Sequence, residues 1–111
     1  MSQSLEITPQ EAKSRLASPG KATLVDVREP NEFAVAHIPG SRLLPMQSIP
    51  AELQHLEKLA DGADLLILCH HGVRSLQVAN WLRAQGIDNS YSIAGGIDRW
   101  SHEVDPEIPQ Y

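Results

Sequence analysis

The chain has 111 residues, a length that suits one domain with a single hydrophobic core. Its 9 basic and 14 acidic residues give a formal charge of -5 without any basic run, which argues against nucleic acid or an anionic membrane as a partner. The single cysteine, Cys69, excludes a disulfide within the chain and is typical of a reducing compartment.

No targeting or membrane segment is apparent in the sequence. Residues 1–20 lack an apolar stretch like the core of a signal peptide. The longest strongly apolar run, residues 65–69, is far too short to span a bilayer. We therefore expect a soluble, cytoplasmic protein that does not bind membranes, although a domain cut from a longer chain would show the same pattern.

Strands and helices are predicted to alternate along the chain. Apolar patterns indicate strands at residues 5–7, 22–27, 41–45, 65–68 and 90–94. Helical patterns indicate helices between residues 9 and 18, at 30–36, at 48–60, at 73–85 and after residue 96. This alternation predicts an α/β domain with a mainly parallel sheet.

The first helices carry recognisable local signals. Thr8 is a suitable N-cap, Pro9 fits the first turn, and Glu11 can complete a capping box. Phe33 is expected to face inward from the short helix at 30–36.

The second half contains the strand that we expect at the sheet centre. Residues 65–68 have no polar interruption, which is typical of a strand covered on both faces. The helix after it is predicted to bury the stripe Val73, Leu76, Ala79 and Leu82, with Val78 alongside. Gly95 and Gly96 are expected to allow a tight turn and close packing near the preceding loop. Two prolines predict an extended tail at 105–111.

Residues with reactive or charged side chains are predicted to meet at one edge of the sheet. Ligands of open α/β sheets bind beyond the carboxyl ends of the strands. Cys69 follows the fourth strand, and Asp26 and Arg28 end the second. The sequence therefore predicts a site at this edge.

The segment after Cys69 favours a thiolate. Loop N–H groups, the start of the next helix and the charge of Arg74 each stabilise an anion, and the thiolate is the nucleophilic form of cysteine. Gly72 permits backbone angles that a side chain forbids. The alternative is a buried cysteine that merely ends a strand, but that role does not require such a loop.

The sequence CHHGVRS at 69–75 occurs together with LVDVREPNEF at 24–33, HIPGS at 37–41 and AGGIDRW at 94–100. In this order and spacing the segments resemble the rhodanese family of sulfurtransferases in its single-domain form. The resemblance covers about residues 4–104, nearly the whole chain. It implies one rhodanese-like domain over residues 1–111, with three α/β/α layers around a five-stranded sheet.

The resemblance also implies a reaction. Cys69 attacks the outer sulfur of a donor such as thiosulfate, sulfite leaves, and cyanide or a thiol then removes sulfur from the Cys69 persulfide. The loop N–H groups stabilise the thiolate and the persulfide. No metal or organic cofactor is expected, and a protein that donates or accepts sulfur is a further possible partner.

The length of the loop after Cys69 bears on which activity is favoured. Four residues separate Cys69 from Arg74, whereas related phosphatases have a longer loop. The smaller ring fits sulfur better than a tetrahedral anion, so a phosphatase or an arsenate reductase is less favoured. A persulfide carrier and a non-catalytic rhodanese-like interaction module remain as alternatives, but Cys69 with a complete loop favours the enzyme.

Each of the two arginines near the loop has two alternative roles. Arg74 either orients an anionic donor or braces the loop by pairing with Asp26, Glu29 or Glu32. Arg28 either binds the donor or fixes the exit of the second strand. The residues assigned to the loop that surrounds the sulfur are His70, His71, Gly72, Val73, Arg74 and Ser75.

His70 and His71 are expected to be exposed at the mouth of the loop. Either they attract an anionic donor when protonated, or one or both simply occupy solvent-facing positions. A zinc site made by Cys69 and these histidines is not expected, because adjacent residues point apart and no clear remaining ligand appears.

Overall fold

The computed structural model describes residues 4–111. Within this range the strands are β1 Glu6–Ile7, β2 Ala22–Asp26, β3 Arg42–Leu43, β4 Asp64–Leu68 and β5 Ser90–Ile93. The α-helices are α1 Pro9–Leu16, α2 Pro30–Val35, α3 Leu53–Ala60, α4 Val73–Ala84 and α5 Gly96–Glu103. Two 3₁₀ turns, Met46–Ser48 and Pro50–Glu52, precede α3, so the α-helix there begins later than the sequence predicts.

Strand β4 lies at the centre of the sheet, as predicted. The strand order is β1-β5-β4-β2-β3, and each of these neighbouring pairs is parallel. The side chains of residues 65–68 are all 0% exposed. Successive side chains of a strand point to opposite faces, so Leu66 and Leu68 pack into one apolar cluster while Leu65 and Ile67 pack into another.

The two clusters define three layers. On one face of the sheet, Ala12 from α1 and Trp100 from α5 pack against the strands. On the other face, Leu56 from α3 and Leu82 from α4 do so. The α/β/α architecture is therefore confirmed. None of the helices within residues 4–111 has both the length and the apolar character that crossing a bilayer requires.

The buried face of α4 differs from the predicted stripe. Val73 is 66% exposed, whereas Ser75, Val78, Ala79 and Leu82 are buried. Val73 is the first residue of the helix and lies where the loop opens to solvent, before the helix packs on the sheet. A buried serine in this face has a polar role, described below.

Two other local predictions need correction. Thr8 caps α1 by accepting a hydrogen bond from the Glu11 N–H at 3.1 Å, as predicted. The Glu11 carboxylate instead accepts from Arg15 Nε at 3.0 Å. Phe33 is only half-buried, and its ring stacks on that of His37 with centroids 4.3 Å apart.

Residues 105–111 pack back onto the domain and do not extend away from it. Ile108 is 7% exposed and belongs to the apolar cluster of α1 and α5. Its carbonyl oxygen accepts a hydrogen bond from Ser101 Oγ at 2.8 Å. This contact carries the end of the chain toward the edge of the sheet where β4 ends.

Helix α5 begins in direct contact with the loop after β4. The N–H groups of Ile97 and Asp98 donate to the carbonyl oxygens of Cys69 and His70, at 2.8 and 3.1 Å. Gly96 has φ +61°, and a Cβ there would lie 2.4 Å from both carbonyl oxygens. The predicted close packing at the second glycine is confirmed, and only a residue without a side chain fits.

Gly96→Ala is expected to lower the free energy of unfolding by about 3 kcal/mol or more, because a backbone clash adds to the strain of the left-handed angle. Gly20→Ala is the matched control, since Gly20 has φ +76° and no atom lies within 4 Å of the place that an added methyl group would take. That change is expected to cost about 1–2 kcal/mol. Urea denaturation measures both, and equal losses would contradict the packing argument.

Candidate active site

The predicted site forms at the carboxyl edge of the sheet. Cys69 directly follows β4, and α4 starts four residues later at Val73. Strand β2 ends beside it at Asp26, and the Val27 N–H donates to the Leu68 carbonyl oxygen at 2.9 Å. The convergence of Cys69 and Asp26 at one edge is therefore as predicted.

The sulfur of Cys69 lies beneath the loop, and the residue is 1% exposed. Its Sγ accepts hydrogen bonds from the backbone N–H groups of Gly72 at 3.0 Å and Ser75 at 3.3 Å. Ser75 lies in the first turn of α4, where N–H groups have no acceptor within the helix. Backbone donors and a helix N-terminus both favour negative charge on the sulfur.

Two buried serines extend this hydrogen-bond network. Ser75 Oγ lies 3.4 Å from Cys69 Sγ and 2.7 Å from Ser92 Oγ on β5. Both serines are 0% exposed. Ser92 was not singled out from the sequence, because β5 carries serines at both 90 and 92 and no local signal marks the second as part of the site.

The peptide groups at the start of the loop have a fixed direction. The carbonyl oxygens of Cys69 and His70 point toward α5, whose N–H groups they bind. Every peptide bond in the described chain is trans. In a trans peptide the N–H points opposite to the C=O, so the N–H groups of His70 and His71 point away from α5.

Arg74 braces the loop. Its guanidinium donates two hydrogen bonds to Glu32 of α2, at 2.7 and 3.0 Å. These bonds lower the pKa of Glu32 from 4.5 to about 2. Glu32 also accepts from the Glu29 N–H and from the Tyr111 hydroxyl, each at 2.9 Å. Of the partners considered for Arg74, Glu32 is the one that it binds.

Asp26 and Arg28 form a buried ion pair below the loop. Both side chains are 0% exposed, and Asp26 accepts from Arg28 Nε at 2.9 Å and from its terminal nitrogen at 2.7 Å. Arg28 also donates to the Ala36 carbonyl oxygen and to the Tyr111 hydroxyl, each at 2.7 Å. Arg28 therefore fixes the exit of β2, and its buried donors are engaged within the protein.

The two histidines after Cys69 differ in exposure, contrary to the prediction that both are exposed. The His71 side chain is 62% exposed. The His70 ring is half-buried between the rings of His71 and Tyr111, with centroid distances of 3.9 and 4.0 Å. Burial, together with the neighbouring His71, lowers the pKa of His70, whereas the Tyr111 backbone and the charges of Glu32 and Asp98 oppose this shift.

Tyr111 is a site component that sequence reasoning missed. Its ring covers His70, and its hydroxyl group joins Arg28 to Glu32. Burial raises the pKa of Tyr111. A tyrosine after a proline-rich segment carries no local signal of this contact, because the contact depends on how residues 105–111 fold back.

The reasoning against a metal site at the two histidines also needs correction. Their rings stack and do not point apart, and Asp98 of α5 lies beside them. Within residues 4–111, His70, His71 and Asp98 form a group of side chains that could hold a metal ion, and Cys69 is not in it.

Comparisons with known proteins identify the family of the chain. Residues 8–103 match the family model of the rhodanese-like domain. The chain is 37% identical over 110 residues to thiosulfate sulfurtransferase GlpE of Ectopseudomonas mendocina, covering 99% of this chain and 96% of the relative. It is 41% identical over 110 residues to rhodanese-like/PpiC domain-containing protein 12 of Arabidopsis thaliana, covering 96% of this chain. The chain spans 37% of the length of that plant protein.

Solved structures show the same architecture. The human single-domain sulfurtransferase TSTD1 superposes with a TM-score of 0.79 at 28% identity, over 91% of this chain and 98% of the other. A rhodanese-like domain protein from Staphylococcus aureus superposes with a TM-score of 0.77 at 33% identity, over 100% and 99% of the two chains.

The ion pair between Glu32 and Arg74 predicts a pH dependence of stability. The pKa of Glu32 is lower in the folded chain than its ordinary 4.5, so the stabilisation is complete above about pH 5 and is lost as the pH falls toward about 2. Because the pair is partly screened by solvent, we expect it to contribute about 2 kcal/mol to the free energy of unfolding. Chemical denaturation at about pH 6 and about pH 3 measures the free energy of unfolding that is lost in acid (the acid loss). This loss should be smaller for Glu32→Gln than for the unchanged chain.

Glu57→Gln is the control for this experiment, because Glu57 is an exposed residue of α3 away from the loop. It should keep the acid loss of the unchanged chain. An acid loss in Glu32→Gln as large as in the Glu57→Gln control would contradict the stabilising role of the pair.

Proposed function

The chain belongs to the rhodanese-like domain family and has sulfurtransferase relatives, and on this basis we propose that it transfers sulfane sulfur through a persulfide on Cys69. The observation that carries the proposal is the sulfur environment: Sγ accepts hydrogen bonds from the N–H groups of Gly72 and Ser75 at the N-terminus of α4. Such donors stabilise both the Cys69 thiolate and the persulfide anion that forms from it.

In the first half-reaction the Cys69 thiolate attacks the outer sulfur of thiosulfate. The sulfur–sulfur bond of the donor breaks, and its electron pair leaves with sulfite. Cys69 then carries one additional sulfur atom, which is the terminal anion of the persulfide. We expect this outer sulfur to meet the N–H groups of Val73 and Arg74, which also lie in the first turn of α4 and have no acceptor within the helix.

In the second half-reaction an acceptor nucleophile removes the outer sulfur. Cyanide gives thiocyanate and a thiolate gives a new persulfide, while the electron pair of the broken bond returns to Cys69. Cys69 is the only cysteine of the chain, so no second thiol can release the sulfur as an internal disulfide. The acceptor is therefore an external nucleophile, either a small thiol or the thiol of a partner protein.

Two features support sulfur over phosphate as the substrate. Four residues between Cys69 and Arg74 make a small ring. A phosphate or arsenate site also needs a cation aimed at the anion. Here the two terminal nitrogens of the Arg74 guanidinium both donate hydrogen bonds to Glu32. The arrangement therefore favours sulfur transfer over phosphatase or arsenate reductase chemistry.

Thiosulfate is expected to add the mass of one sulfur atom to the purified chain, because the Cys69 persulfide survives until an acceptor arrives. Intact-protein mass spectrometry measures the gain, and addition of cyanide or a small thiol should reverse it. Cys69→Ser should gain no mass. It should keep the circular dichroism spectrum of the unchanged chain, since serine can accept the same two backbone N–H groups.

The donor is varied in the same experiment. Mercaptopyruvate and a persulfidated protein are tested beside thiosulfate, because the proposed chemistry at Cys69 is the same for each. Loading only from the persulfidated protein would identify a carrier of protein-borne sulfur. A folded chain that gains no sulfur from any of the three donors would refute the proposal and support a non-catalytic interaction module.

A further inference from the structure

Three side chains with metal-binding atoms meet at the mouth of the loop. One ring nitrogen of His70, one of His71 and a carboxylate oxygen of Asp98 all lie within 4.8 Å of one another. Nε2 of His71 is 4.0 Å from Oδ2 of Asp98. A single ion with bonds of about 2 Å can reach three atoms at these separations after small side-chain movements.

The backbone already holds two of these residues together. The Asp98 N–H donates to the His70 carbonyl oxygen at 3.1 Å, so the start of α5 and the loop share a fixed geometry. The His70 ring is also held by its stack on Tyr111, at 4.0 Å and 8° between planes. A site whose ligands are ordered before binding loses less conformational entropy when the ligand binds.

His70 has an unpaired polar atom. Its Nε2 is buried and has no hydrogen-bond partner among the described residues. A buried polar atom without a partner destabilises the folded state, and few native groups remain so. A metal ion bound at Nε2 would remove this penalty.

His71 supplies the movement that binding requires. Its ring stacks on that of His70 at 25° between planes, so the in-plane lone pairs of the two rings do not yet point at one ion. The side chain is 62% exposed and can rotate into solvent without displacing core residues. The change needed is therefore one side-chain rotation at the surface.

We propose that His70, His71 and Asp98 form a binding site for a divalent first-row transition metal, with Zn²⁺ as the cation best suited to it. Two imidazole nitrogens and one carboxylate oxygen suit Zn²⁺, and a tetrahedral ion with these three ligands keeps a fourth position for water. Mg²⁺ and Ca²⁺ prefer oxygen ligands. The ion lies beside the sulfur loop and joins it to α5. Cys69 is not a ligand, because its Sγ lies beneath the loop among the N–H groups of Gly72 and Ser75.

Zn²⁺ added to the full chain in a non-chelating buffer should bind with one-to-one stoichiometry in calorimetry. It should also raise the melting temperature, since the site exists only in the folded chain. Asp98→Asn and His71→Gln should each raise the Kd by at least about tenfold, which is the smallest loss seen when partners of metal ligands are removed. Both side chains are partly exposed, so these variants are expected to fold.

His55→Gln is the matched control, because His55 is an exposed histidine on α3 outside the cluster. It should bind Zn²⁺ as the unchanged chain does. Co²⁺ as a spectroscopic probe should show no thiolate-to-metal charge-transfer band, and the Cys69→Ser variant should give the same spectrum. These readouts do not depend on sulfur transfer, so the metal site and the proposed reaction are tested separately.

Three outcomes would overturn the proposal. The first is no binding by the unchanged chain, and the second is a Kd that Asp98→Asn and His71→Gln leave unaltered. The third is a thiolate band that disappears in Cys69→Ser, which would assign the metal to the cysteine and not to the three residues named.

Discussion

The close approach of α5 to the loop after β4 is the constraint on which the site depends. The N–H groups of Ile97 and Asp98 bind the carbonyl oxygens of Cys69 and His70. This turns the carbonyl oxygens toward α5, and the trans peptide then directs the following N–H groups away from α5. A negatively charged sulfur is stabilised by N–H groups and destabilised by carbonyl oxygens, so the contact with α5 determines the electrostatic character of the loop.

A second set of contacts holds the loop through charged side chains. Arg74 ties the start of α4 to Glu32 on α2, and the Tyr111 hydroxyl joins Glu32 to Arg28. Arg28 in turn is fixed by the buried carboxylate of Asp26 at the end of β2. The charged groups nearest the loop are thus paired with each other, and the charges of this network nearly cancel before any substrate arrives.

Sequence patterns predicted the parts of the structure that depend on local signals. The uninterrupted apolar residues 65–68 placed β4 at the sheet centre, and the residues after Cys69 indicated an anion-binding loop at a strand end. Ser92, Asp98 and Tyr111 were not assigned to the site, because each reaches it through long-range packing. Periodicity alone also placed Val73 on the buried face of α4, although the first residue of a helix at an open loop is not covered by the sheet.

Neither histidine side chain contacts the sulfur of Cys69, which limits what these rings contribute to the proposed reaction. The contacts to Sγ come from the N–H groups of Gly72 and Ser75 and from a serine hydroxyl, so the sulfur chemistry does not require an imidazole at residue 70. Burial beneath Tyr111 and beside His71 lowers the pKa of His70, which disfavours the charged ring that would attract an anionic donor. The N-terminus of α4 offers a partial positive charge that does not depend on pH. The position of the His70 ring beside His71 and Asp98 suits an electron-pair donor to a metal ion.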